Sequence, residues 1–86
     1  MVKQRFTATF GGGCYIKAYG RKFYKKGVLL CNIEQNGNIL CEKLSVQKGK
    51  AFDCLNELVD SGKVIAFDAV LNQDNTVSYI SNVSVV

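Results

Sequence analysis

Val28-Leu29-Leu30-Cys31-Asn32-Ile33-Glu34-Gln35-Asn36-Gly37-Asn38-Ile39-Leu40-Cys41-Glu42-Lys43-Leu44-Ser45-Val46 is the stretch that decides the fold. Two runs rich in β-branched and apolar residues flank Asn36-Gly37. Asn-Gly is the strongest short-range hairpin signal, because both central residues of a type I′ turn need positive φ. The stretch therefore predicts a strand over 28–34, a two-residue turn, and a strand over 39–46. With that turn, Ile33 is expected opposite Leu40, Cys31 opposite Glu42 and Leu29 opposite Leu44. Leu29, Cys31 and Ile33 would then face the core with Leu40, Leu44 and Val46. Leu30, Asn32, Cys41, Lys43 and Ser45 would face away, placing Cys31 and Cys41 on opposite sides of the hairpin.

Upstream, residues 2–10 alternate. Val2, Phe6, Ala8 and Phe10 share one side, and Lys3, Arg5, Thr7 and Thr9 the other, which predicts another strand. Gly11-Gly12-Gly13 interrupts it as a loop or a bend. Residues 14–26 admit two readings, a continued strand or a loop. Downstream, the period changes over 49–60. Phe52, Leu55, Leu58 and Val59 form a helical stripe, and Gly62 is a natural residue to follow the helix end. Ile65, Phe67, Ala69 and Leu71 alternate as a fourth strand. Asn72 to Asn75 is a polar turn, and Thr76 to Val85 a fifth strand. A helix lodged between the third and fourth of five strands predicts a mainly-β, five-stranded OB-fold-like Greek-key barrel. An SH3-like barrel is the runner-up, but it lacks a three-turn helix at that place.

The 86 residues bound what such a fold can do. A chain of this size buries roughly 60–65% of its unfolded surface, so a single domain over 1–86 with one small core is expected. There is no histidine. That excludes a Ser-His-Asp triad, a Cys-His pair and histidine metal ligation. Cys14, Cys31, Cys41 and Cys54 contain no CxxC pair, against a zinc ribbon or a thioredoxin-type site. They are expected as reduced thiols serving as small hydrophobes. The N-terminal stretch lacks the apolar run of a signal peptide, and no run approaches the roughly 18 residues of a membrane span. A cytoplasmic protein without a membrane partner is expected.

The chain resembles a family of small OB-fold-like proteins of Gram-positive phages and other mobile genetic elements. The carrying residues are Phe6-Thr7-Ala8-Thr9-Phe10, the strand Val28-Leu29-Leu30-Cys31-Asn32-Ile33, the Asn36-Gly37 turn, and Gly62-Lys63-Val64-Ile65-Ala66-Phe67-Asp68-Ala69-Val70. The last resembles a G-D-x-I-x-F-D-A-x-V block, with Lys63 where an Asp is usual. The family's Asp-His-x-Trp segment on the third strand reads Glu42-Lys43-Leu44-Ser45 here. The resemblance implies the OB-like fold and a mobile-element origin more than any activity.

Charge placement is the functional signal. Residues 1–33 carry seven bases and no acid, while the remainder carries four bases and seven acids. The same basic third holds six of the nine aromatic residues. In an OB-fold, residues 11–27 would form the loop joining the first two strands, one of the loops that grip oligonucleotides. Lysines and arginines there neutralise phosphates, and tyrosines stack on bases. The candidate nucleic-acid-binding residues are Arg5, Lys17, Tyr19, Arg21, Lys22, Tyr24, Lys25, Lys26 and Lys43, with single strands favoured. The competing reading of the same stretch is a solvated hairpin whose rings pack on the barrel.

No catalytic residue, metal ligand or cofactor is assigned. Lys48-Gly49-Lys50-Ala51 lacks the glycine and the Ser/Thr of a phosphate-binding loop. Asp68 and Glu42 form at best a carboxylate pair without a histidine, a poor catalytic site. Cys14 has no evident partner base. A non-enzymatic nucleic-acid-binding module, a monomer or small homo-oligomer, is therefore expected. The alternative is a small phage-encoded inhibitor or adaptor that binds a host protein, such as an antiviral (CRISPR-type) nuclease.

Overall fold

The computed structural model describes residues 2–18, 23–58 and 62–86, with the backbone alone described at 17, 18, 23, 54 and 56–58. Five strands follow in chain order: β1 (Gln4–Ala18), β2 (Phe23–Gln35), β3 (Asn38–Gln47), β4 (Val64–Leu71) and β5 (Val77–Val85). A 3-10 helix (Lys50–Leu58) lies between β3 and β4. The strands form one antiparallel sheet in the order β3-β2-β1-β4-β5. Among the described residues no ladder joins β3 to β5, so the sheet is open at that seam.

The Asn36-Gly37 turn forms as its sequence demands, with φ of 54° and 82°. Gln35 pairs with Asn38 and Glu34 with Ile39. The register then slips at Leu40, so that Ile33 pairs with Cys41, Cys31 with Lys43 and Leu30 with Leu44. On β3 Leu40, Leu44 and Val46 pack against the core as expected, but Cys41, expected to face away, opposes the buried Ile33 and packs there too. On β2 the face is reversed above Ile33. Leu30 and Val28 are buried, and Leu29 is only half-buried. The cause is Asn32, whose φ of 50° accompanies one extra residue of β2 against β1 between Glu34 and Cys31. A bulge of this kind flips every side chain beyond it.

The same device shapes two other strands. In β1 the glycine triplet is not a loop; the strand runs on through it with a bulge. Phe10 pairs with Leu30 and Gly13 with Val28, so two residues oppose one, and Gly12 has φ of 90°. In β5 the left-handed residues are Tyr79 and Asn82. They turn the inward spacing to three, and Val77, Ile80 and Val83 pack on the core.

The core is built from Phe6, Ala8 and Phe10 of β1, Val28, Leu30 and Ile33 of β2, Ile65, Phe67 and Ala69 of β4, and Val77 of β5. Phe52 and Leu55 of the 3-10 helix complete it. Their spacing of three suits a helix with three residues per turn, where such side chains eclipse. Phe6 and Phe67, each almost wholly buried, stack with ring centroids 6.0 Å apart. Residues 59–61, and with them the last expected helical residues before Gly62, lie outside the described residues. Cys14, Cys31 and Cys41 carry free thiols and are half-buried.

Candidate functional site

Past its glycine bulge β1 runs on with β2 as a two-stranded ribbon. Cys14 pairs with Gly27, Tyr15 with Lys26, Ile16 with Lys25, Lys17 with Tyr24 and Ala18 with Phe23. Residues 11–27 are thus largely paired strand, and the connecting residues 19–22 lie outside the described residues. Directly opposed residues of an antiparallel pair share a face, and successive pairs alternate. Tyr15, Lys26 and Tyr24 therefore stand on one face, and Ile16 and Lys25 on the other. Tyr15 and Tyr24 keep 69% and 65% of their surface in water. No acid occurs anywhere in residues 1–33, so nothing within the ribbon's own sequence neutralises its lysines.

At the root of the ribbon the sheet leaves a cavity of about 230 Å³. Its buried lining is Phe10, Val28, Phe52 and Leu55, and its exposed lining includes Tyr15 and Lys26. Lys48, the first residue after β3, also lines it, and its backbone N–H donates to the Lys26 carbonyl at 2.9 Å. A second cleft, of about 490 Å³, lies at the open seam between the end of β3 and the start of β5. Lys50, Phe52, Tyr79 and Ile80 are among its walls.

The other end of β1 is organised differently. Arg5 donates through Nη1 to Asp68 Oδ1 at 3.3 Å and to the Asn82 carbonyl at 2.8 Å, and through Nη2 to Ser84 Oγ at 3.1 Å. Asn82 Nδ2 donates to the second Asp68 oxygen at 2.7 Å. Lys3 Nζ donates to Ser81 Oγ at 2.7 Å. The Asn82 amide, and after it the Arg5 guanidinium, hold the Asp68 carboxyl below the usual carboxylate range. Each hydrogen bond favours the ionised form.

The structure therefore places Tyr24 and Lys26 on one ribbon face and Lys25 on the other, with the Lys17 backbone opposite Tyr24. Tyr19, Arg21 and Lys22 lie outside the described residues. Arg5 does not join this group, because it sits twelve positions before Lys17 and is bonded across β4 and β5. Lys43 stands opposite Cys31, four positions from the ribbon root at Gln47, or about 13 Å along a strand. Tyr15 and Lys48 belong to the arrangement and were not among the candidates. Alternation carried unbroken through the glycines would have put Tyr15 on the face away from Phe10, and the glycine bulge turns it to the Phe10 side. Nothing local marks Lys48, which is placed by a bond to a residue of β2.

The loop joining β4 to β5 contributes no cation. Asn72 N–H donates to the Thr76 carbonyl at 2.8 Å, and Thr76 donates to Asp74 through its N–H at 3.1 Å and its hydroxyl at 2.5 Å. Those Thr76 bonds lower the Asp74 carboxyl from its ordinary range. Glu42 and Asp68 lie on β3 and β4, with β2 and β1 between them in the sheet. Gly49 opens the 3-10 helix by accepting from the Phe52 N–H at 2.9 Å, in keeping with a structural role for Lys48-Gly49-Lys50. No protein-family model, curated protein or solved structure matches this chain.

Proposed function

We propose that this protein is a non-enzymatic nucleic-acid-binding module of a phage or other mobile element, acting on single strands through the β1–β2 ribbon. One observation carries this reading. Exposed Tyr15 and Tyr24 share a ribbon face with Lys26, in a segment with seven bases and no acid. Lysines on the face neutralise phosphates and release counterions. Each stacked base contributes about 1–3 kcal/mol without sequence preference. A duplex hides its base faces, so the tyrosines favour unpaired strands.

The strand order supports an OB-type assignment. An OB barrel opened between its third and fifth strands presents β3-β2-β1-β4-β5, with a helix between the third and fourth. The mobile-element origin rests on the motif resemblance. The non-enzymatic reading rests on the missing histidine and on the separation of Glu42 from Asp68.

The test is a fluorescence-anisotropy titration with labelled single- and double-stranded oligonucleotides at two salt concentrations. Tighter binding to single strands, weakening steeply with salt, is expected. Salt-independent binding, or none, overturns the reading.

A second reading, an inhibitor or adaptor docking on a host protein, is favoured by the β5 edge. Val77 to Val86 contains no charged side chain, and Tyr79 and Val85 are exposed on it. An extended segment of a partner adds to such an edge through main-chain hydrogen bonds. Recovery of a stoichiometric partner from host lysate, lost with Tyr79→Lys, would support it.

A further inference from the structure

We propose that the cavity at the root of the ribbon is a recess for one unstacked nucleobase, with the phosphate attached to that nucleotide held by Lys26 and Lys48. The inference rests on the nucleic-acid reading and deepens it by naming what the site takes.

Three features lead to a nucleotide. The buried lining is apolar, made by Phe10, Val28, Phe52 and Leu55. Such a wall accepts a flat ring and gives no return for a polar chain. The volume, about 230 Å³, lies below the roughly 300–1,000 Å³ of sites for drug-sized ligands. One ring system fits, and a stacked pair of bases does not. Among the described residues the remaining lining includes two lysines and no carboxylate, so an anion beside the ring is favoured over a neutral or cationic group. A planar ring bearing a nearby negative charge is the chemistry of a nucleoside monophosphate, free or within a strand.

The geometry also links the recess to the ribbon. Tyr15 lines the cavity and shares its face with Lys26 and Tyr24. A strand following that face would pass from stacking on Tyr24 to Tyr15 and then reach the recess. Lys48 is fixed there by the hydrogen bond from its N–H to the Lys26 carbonyl.

The test is an amide NMR titration of the full chain with a nucleoside monophosphate, the matching nucleoside and inorganic phosphate. It is paired with oligonucleotide anisotropy on wild type, Tyr15→Ala and Lys48→Glu. Both substitutions change exposed or half-exposed side chains, and retained amide dispersion checks the fold. The monophosphate is expected to shift Gly13, Gly27 and Lys48 amides saturably, at least 5-fold more tightly than the nucleoside or phosphate. Each variant is expected to weaken oligonucleotide binding on the order of 10-fold.

If oligonucleotide binds wild type and both variants alike, and the monophosphate shifts no recess amide, the recess is overturned while the nucleic-acid reading stands. If neither ligand binds, both are overturned. Saturable monophosphate binding at the recess without oligonucleotide binding supports the recess as a free-nucleotide site and removes the strand reading. Phosphate binding as tightly as the monophosphate overturns the nucleobase recess.

Discussion

Arg5 of β1, paired with Asp68 of β4, and Lys26 of β2, paired with Tyr15 on the ribbon, carry the same charge, yet their surroundings differ. Arg5 is bonded to Asp68, Asn82 and Ser84 across two strands. Lys26 faces outward beside Tyr15 at the mouth of an apolar cavity. Beneath Arg5 lies the stacked pair of Phe6 and Phe67, while the ribbon extends past the core. A cation that has a carboxylate and carbonyl partner within the fold helps to hold strands together. On the proposed reading Lys26, exposed at the cavity mouth, is the cation that meets an anionic ligand. The Arg5 half of the molecule should therefore determine stability, and the ribbon half should determine binding.

The largest expected effect is on the stability side. Phe67→Ala removes a fully buried ring from the pair with Phe6 and should cost about 3–5 kcal/mol. Denaturant unfolding would show this as a lower midpoint, and an unchanged midpoint would break the assignment of the core to this half. Next, the triple reversal of Lys22, Lys25 and Lys26 to Glu should lower oligonucleotide affinity on the order of 100-fold at low salt, with thermal unfolding little changed. Loss of folding instead would show that the ribbon is structural.

A smaller effect is expected where the halves join. An added methyl at Gly27 would sit 2.7 Å from the Val46 carbonyl oxygen, closer than packed atoms approach. Gly27→Ala should cost about 1–3 kcal/mol and disturb the ribbon root. Calorimetry would read the first effect and anisotropy the second.

The smallest effect concerns acid. The Asp68 carboxyl has a folded value below its unfolded one, because Asn82 and Arg5 bond the ionised form. Its contribution is therefore present above the unfolded value of about 3.9 and is lost as pH falls through the folded value. Asp68→Asn should lower the melting temperature slightly at pH 7. The difference from wild type should shrink below about pH 4. A difference that grows in acid would contradict the assignment.

Much of this fold was legible because turn and period signals are local. Asn36-Gly37 demands its turn, and the inward residues of β1 and β4 alternate as written. The bulges were not legible. Asn32, Tyr79 and Asn82 adopt left-handed φ inside strands, and no neighbouring residue announces it. Each one answers to how the sheet coils around the core, and it shifts the inward face for the rest of the strand. Composition located the basic and aromatic residues of the ribbon, of which Tyr24, Lys25 and Lys26 lie on its described second strand. The role of Arg5 was not, because its carboxylate partner is 63 residues away in sequence. The recess was hidden for the same reason, being assembled from β1, β2, the residue after β3 and the 3-10 helix.

The division between a structural cation and a binding one is open to a single measurement. Single-strand affinity is measured against salt for wild type, Lys26→Ala and Arg5→Ala. A neutralised phosphate adds about 0.7 to the steepness of log affinity against log salt. The slope should flatten by about that amount in Lys26→Ala and stay at the wild-type value in Arg5→Ala. Equal flattening in both variants, or flattening in Arg5→Ala alone, would contradict the account.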